Sequence, residues 1–322
     1  FSRIPAMELM TRPQLAAPVP VQSAGRAALG RSWSAWAPAA AATAAVVKCR
    51  LSVSQVKLRR RRSRRALRAL RATEEAAAGE NRYKSLEVFL EAQRESRPLT
   101  DPLGGPLTPY NDSPADWMLI AIFRQVMSGV AKWQSPLAFW GPEAYDGMLE
   151  VAHAQQWGRT LQQTEDSAMS VIDNLLPEEG KARFRSALKA DKFGTELNAL
   201  ITAVFFPFMV GKCQVEERKH EDLEQIPEGE AWKCAVKIEK CRWLERSGCV
   251  GMCAGLCKRP MQRMFGEVLG MPLSMEPNME DLSCTMVFGK KPVEWDKDDL
   301  REQPCFSTCA TARSQGSCPK LT

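Results

Sequence analysis

Ten of the eleven cysteines lie between residues 213 and 318, at 213, 234, 241, 249, 253, 257, 284, 305, 309 and 318. Histidine occurs only twice, at 153 and 220. Sites built on several histidine ligands or on a histidine proton relay are therefore disfavoured, and sulfur is the chemistry on offer. The densest run, CRWLERSGCVGMCAGLC, spans Cys241 to Cys257, followed by Cys284 and by Cys305 and Cys309 in QPCFSTC. Disulfide scaffolds are usually short secreted chains, whereas this cluster follows enough chain to build its own core. Structural zinc favours C-x2-C knuckles, and none occurs here. On a straight helix Cys249, Cys253 and Cys257 share one face, since four residues drift only about 40°. Their ends are then about 12 Å apart along the axis. One tetrahedral zinc needs sulfurs within about 4 Å of each other, so it cannot take all three. Thiolates also hold iron, including iron–sulfur clusters, although the ferredoxin spacings do not match. Iron, zinc and plain buried or redox-paired thiols stay open, because a free cysteine is often only a small core residue.

The elements that must position these residues can be read from periodicity. Residues Glu74 to Arg94 suggest a solvated helix, and PLTDPLGGPLTPYNDSP (98–114) a linker or extended loop. Ser113 or Asp116 caps a helix carrying Trp117, Leu119, Ile120, Ile122, Phe123, Val126, Met127 and Val130. Helices are expected over Tyr145–Trp157, Thr160–Leu176 and Pro177–Leu188. ELNALITAVFFPFMV (196–210) is too short to span a bilayer and reads as a buried helix that Pro207 kinks or stops. Lys212–Glu217 and Lys233–Glu239 could pair as a ribbon, with Leu282–Phe288 as a third strand. The expected class is mostly α (α+β), a helical domain with a small sheet beside a cysteine-rich C-terminal region. The expected divisions are a leader over 1–72, a helix and Pro/Gly-rich linker over 73–112, a helical domain over 113–211 and a cysteine-rich domain over 212–322.

The formal charge of +6 over 322 residues hides a split. Residues 1–72 carry 15 Lys and Arg and one acid, Glu8, while the rest of the chain has 29 bases and 37 acids, a net of −8. An Ala-, Ser- and Arg-rich, acid-poor leader has the composition of an organelle transit peptide. An acidic remainder argues against a nucleic-acid partner, since phosphate contacts need positive charge.

The stretches KCRWLERSGCVGMCAGLCKRPMQRMF (240–265), MPLSMEPNMEDLSCTMVFGKKP (271–292) and QPC (303–305) resemble the C-terminal domain of the DWARF β-carotene isomerases of plants and algae. LNALITAVFFPFMVGKC (197–213) resembles it too, and AYDGMLEVA (144–152) more loosely. The resemblance implies a plastid enzyme, in the stroma or on thylakoid or envelope membranes, that converts all-trans-β-carotene or a related carotenoid to its 9-cis isomer, toward strigolactones. It also implies iron, as a single centre or an iron–sulfur cluster, on Cys241, Cys249, Cys253, Cys257, Cys284 and Cys305, with a redox partner. The alternative is a non-catalytic or electron-transfer iron–sulfur protein of the plastid. A polyene needs an apolar groove, for which Phe205, Phe206, Met252 and Met264 are the candidates, with the Leu119–Val130 helix, Phe208, Met209, Met271, Met275 and Met279 beside them. Carotenoids reside in membranes, so peripheral contact with a membrane surface is expected. Glu280–Asp281 reads as a loop turn, His153 as structural or surface, and His220 as solvated.

Overall fold

Ser113 accepts from the backbone N–H of Asp116 while the Asp116 carboxylate accepts from the N–H of Ser113, a reciprocal cap that opens α2 (Pro114–Ala131). Thr160 and Gln163 repeat that cap at the start of α4 (Leu161–Leu175). Between them lies α3 (Ala144–Gln156), almost entirely buried. The computed structural model describes residues 83–95, 99–309 and 318–321. The expectations for residues 1–82 lie outside the described residues.

The helix over 83–95, α1, is not the solvated helix expected, because Leu86 and Leu90 are fully buried. Phe89 packs edge-on against His153 of α3, and Arg94 forms an ion pair with Glu150 at 2.6 Å. After α4 come α5 (Glu178–Ala187), α6 (Lys192–Phe205) and the short α7 (Pro207–Val210). Pro207 does end α6, as expected, since its ring removes a backbone donor. The expectation that this helix is buried holds for one side only: Leu200, Val204 and Phe205 are more than half exposed. Gly211, at φ 92°, turns the chain into the sheet, and a Cβ there would lie 2.8 Å from the Lys240 carbonyl oxygen.

The sheet has four antiparallel strands in the order β1 (Cys213–Lys219), β2 (Ala231–Ile238), β4 (Cys284–Phe288), β3 (Leu273–Pro277). The three expected strands are present and the first two pair as a ribbon. β3 was not anticipated. It aligns Met275 with Met286 and Leu273 with Phe288, so apolar side chains of both strands share one face.

Between β2 and β3 lie α8 (Arg242–Ser247) and a continuous helix over 250–268, α9. α9 alternates α turns (Val250–Met252, Arg259–Arg263) with π turns (Cys253–Lys258, Met264–Val268). Gly255 lets α4 come close: a Cβ there would sit 3.0 Å from Thr164 Cγ2. The chain closes with short 3-10 turns at Trp295–Lys297 and Asp299–Glu302. The class is therefore α+β, mostly helical with one small sheet.

The proline-rich residues 99–113 are a strap bound to α8 by buried charge. Arg242 holds both Asp112 oxygens, at 2.6 and 2.7 Å, and donates to the Phe208 carbonyl oxygen. Its guanidinium lies 3.7 Å from the centre of the Tyr145 ring. Glu245 accepts from the Thr108 N–H and the Tyr110 hydroxyl, each at 2.8 Å. Lys240 bridges Asp101 and Glu245.

Candidate active site: an apolar cavity beside a group of thiols

The expected six cysteines do not meet at one place. Cys241, Cys253, Cys257 and Cys284 line a small cavity of about 20 Å³ with Val210, Ile238, Trp243, Leu244, Lys258, Met275, Pro277 and Ser283. Cys241 precedes α8, Cys253 and Cys257 come from the first π turn of α9, and Cys284 opens β4. The π turn, closed by i→i+5 hydrogen bonds, brings residues four apart round to nearly the same side. Cys249 caps α9 from outside the helix, with extended backbone, so it does not share that side. It accepts from the Gln156 amide at 3.5 Å and lies near Cys309 and Cys318. Cys305 joins this second group through hydrogen bonds with Cys318 and Cys309. Cys213 sits near Cys241, and Cys234 is buried in a separate small cluster with Leu223, Ile226 and Trp232.

Every cysteine described is a free thiol. Burial pushes Cys241 and Cys249 up to about 11 and Cys257 to about 12. It raises Cys253 and Cys284 well above the usual thiol range, and Cys305 as well. Lys258, buried and ion-paired with Asp298 at 2.5 Å, is the cation at the edge of the first group and opposes that rise at Cys253 and Cys284. Thiolate sulfur is the donor that holds iron–sulfur clusters. As placed, however, no three or more His, Cys, Asp or Glu side chains among the described residues are gathered to hold a metal ion.

Against the thiol group lies a partly open apolar cavity of about 210 Å³. Phe123 and Met127 of α2 contribute to its wall, with Ala168, Val171, Ile172 and Leu175 of α4. Thr202 comes from α6, Phe206 from the junction that follows it, Met209 and Val210 from α7, and Trp243 from α8. α9 adds Leu256, Cys257, Met261, Met264 and Phe265, and the paired Met275 and Met286 come from the sheet. No charged side chain lines it, and six methionines give it an adaptable, polarisable wall. Cys257 belongs to the lining of both cavities. The Gln155 amide Nε2 and the Trp243 indole Nε1, on residues of the same lining, are buried without hydrogen-bond partners. A hydrocarbon ligand leaves both unpaired, whereas an oxygen on an end ring gives them an acceptor.

Of the four substrate candidates, Phe206 and Met264 line this cavity. Phe205 is 61% exposed and Met252 is fully buried in the core, and neither lines it. Phe205 and Phe206 differ by about 100° in direction, so only one can turn inward. Met252 stands twelve residues before Met264, about 120° away on a regular helix. Met271 is buried beside the Asn198 amide instead. Met209 and Met275, named beside those four, also line the cavity, as does Met127 of the Leu119–Val130 helix, whereas Met261 and Met286 are lining methionines that the sequence did not assign. Glu280 and Asp281 form a turn, with Asn278 and Asp281 accepting from the N–H groups of Glu280 and Ser283. His153 is buried, and His220 is tied to the Ile226 carbonyl by its ring Nδ1.

Residues 208–297 match the family described as beta-carotene isomerase D27-like, C-terminal. The chain is 37% identical over 172 residues to the chloroplastic beta-carotene isomerase D27 of Arabidopsis thaliana, covering 53% of this chain and 62% of the relative. It is 31% identical over 173 residues to the chloroplastic beta-carotene isomerase D27 of Medicago truncatula, covering 54% and 66%. The match thus spans less than two thirds of either relative. No solved structure matches the chain.

Proposed function

We propose that this chain, which carries the C-terminal domain of the D27-like beta-carotene isomerases, is a plastid carotenoid cis/trans isomerase. Its substrate in this reading is all-trans-β-carotene or a related carotenoid, converted to the 9-cis form. The observation that carries the reading is the position of Cys257, in the wall of an uncharged cavity and in the thiol group behind it.

A conjugated double bond turns only when its bond order falls. Of the cavity's lining side chains, the sulfur of Cys257 is the one able to add reversibly to a polyene carbon. Addition forms a C–S bond and leaves the unpaired electron spread along the polyene. The former double bond then turns as a single bond, the C–S bond breaks, and the double bond re-forms with the other geometry. Over the cycle no atom or electron is gained or lost. Starting it takes one electron and one proton from the thiol, which a redox partner of the one-electron-acceptor class removes. A thiol held neutral by burial suits this route better than thiolate addition, which needs the charged form. Iron would need the sulfurs of this group to draw closer together than they stand; Cys241, Cys253 and Cys284, beside Cys257, are the ones that would then hold it, and it would supply one-electron chemistry.

The test supplies all-trans-β-carotene in micelles and separates the isomers by chromatography. Cys257→Ala is expected to lower turnover at least about a hundredfold, the order for losing a group that acts at the reacting bond. Cys249→Ser is expected to stay close to the parent rate. In protein purified without air, iron content is expected to fall in Cys253→Ser and Cys284→Ser and not in Cys249→Ser. A folded Cys257→Ala protein with parental turnover would sink the assignment of this sulfur. A parent protein that isomerises no carotenoid would favour the non-catalytic alternative.

A further inference from the structure

We infer that the outward side of α6 is the surface by which this protein sits on a lipid bilayer, with α6 and α7 forming the threshold between lipid and the apolar cavity. Phe193, Leu200, Ile201, Val204 and Phe205 are all exposed, from 36% at Ile201 to 67% at Phe193. The first four recur at helical spacing, so they share one side of α6. From residue 197 to residue 211 the sequence has no charged residue. Exposed aliphatic and aromatic side chains at this density mark an interaction surface rather than ordinary scatter.

Continuity with the cavity decides the occupant. Thr202 on the other side of α6, and Phe206, Met209 and Val210 immediately after it, line that cavity. Phe206 belongs to both, being 37% exposed and part of the lining. One element therefore turns an apolar side outward and an apolar side toward the site. A long uncharged polyene leaving a bilayer would pass along it without entering water. Lys192 and Lys212 flank the segment, but Glu230 and Glu239 already pair with them. Insertion is thus driven by apolar burial rather than by attraction to anionic headgroups, in the manner of an interfacial helix. No described helix is long and apolar enough to cross a membrane. The naming of the bilayer as partner rests on the carotenoid reading above.

The experiment is flotation of the purified full chain with vesicles of phosphatidylcholine alone, and with added phosphatidylglycerol, at low and high salt. No carotenoid is present. The parent protein is expected to float with both kinds of vesicle, with little salt dependence. Leu200→Glu/Val204→Glu is expected to lower the bound fraction about tenfold or more, since two buried apolar side chains are lost. Leu200→Ser/Val204→Ser, gentler on folding, should show the same direction, and circular dichroism confirms that both variants are folded. Both should keep parental isomerase turnover in micelles and lose it with carotenoid delivered in vesicles. The inference is overturned if the parent does not float, if the variants float equally well, or if flotation needs anionic lipid and vanishes in high salt. It is also overturned if the parent is a dimer that the substitutions dissociate, since the surface then belongs to a second copy. Flotation without any isomerase activity would leave the surface standing and remove the carotenoid reading. Micellar activity without flotation would do the reverse.

Discussion

A sulfur contributes to this site according to its neighbours. Cys257 and Cys249 are only eight residues apart, yet one lines the larger apolar cavity and the other joins Cys305, Cys309 and Cys318. The sequence motif marked both equally, because spacing does not reveal that Cys249 stands outside the helix or that the next turn is a π turn. Phe206 and Met264 were legible for the opposite reason, since an apolar run beside a helix break has only a few ways to face inward. His153 makes a residue-scale prediction. Burial against α1 lowers it from 6.5 to about 4, with Glu150 opposing the shift. The folded protein therefore keeps this ring neutral while the unfolded chain protonates it. Its contribution to stability is intact above about pH 6.5 and declines as the pH falls toward 4, by about 3 kcal/mol in all. Denaturant titrations of the parent and of His153→Gln at pH 7 and at about pH 4 should show the variant losing less stability by roughly that amount. Parallel losses in the two proteins would show that the ring does not control this acid sensitivity.

Elements were read more faithfully than the surfaces they present. Capping at Ser113 and Thr160, the stop at Pro207 and three of four strands follow from local chemistry, which acts within a few residues. β3 escaped because LSMEP is only five residues long and ends in proline, and its place is fixed by pairing with β4. The direction in which α6 turns its apolar side depends on how it lies on the sheet and what the sheet leaves uncovered, and no local pattern encodes that. The 99–113 strap is the clearest example of long-range ordering, for its prolines suggest a linker while Asp112 and Tyr110 tie it to Arg242 and Glu245. Two substitutions in this strap separate local from long-range effects. Ser113→Ala removes a cap at the exposed start of α2 and should cost about 1 kcal/mol. Asp112→Ala leaves the buried Arg242 guanidinium without its anion and should cost about 3 kcal/mol or more. Chemical denaturation measures both. Equal small losses would mean that the strap is held by its backbone contacts rather than by the ion pair.

At the scale of the whole molecule, charge and cavity size point the same way. A cavity of about 210 Å³ is smaller than the ~300–1,000 Å³ that encloses a drug-sized ligand. In the carotenoid reading proposed above, one end of the polyene therefore goes inside while the remainder extends outward, which suits a site beside an apolar surface. The chain beyond residue 72 is acidic, with a net of −8, while residues 1–72 carry +14. Such a division is consistent with a leader used for delivery and an acidic body used for chemistry. If so, residues 73–322 should retain the isomerase turnover of the full chain in micelles and bind an anion exchanger that the full chain passes through. Residues 1–72 fused to a fluorescent protein should carry it into plastids. Loss of turnover on removing 1–72, with the remainder still folded, would place part of the catalytic apparatus in the leader. A fusion that collects in the nucleus would instead show that residues 1–72 carry a nuclear address. The fractionation and the imaging are independent readouts, so each half of the division is tested separately.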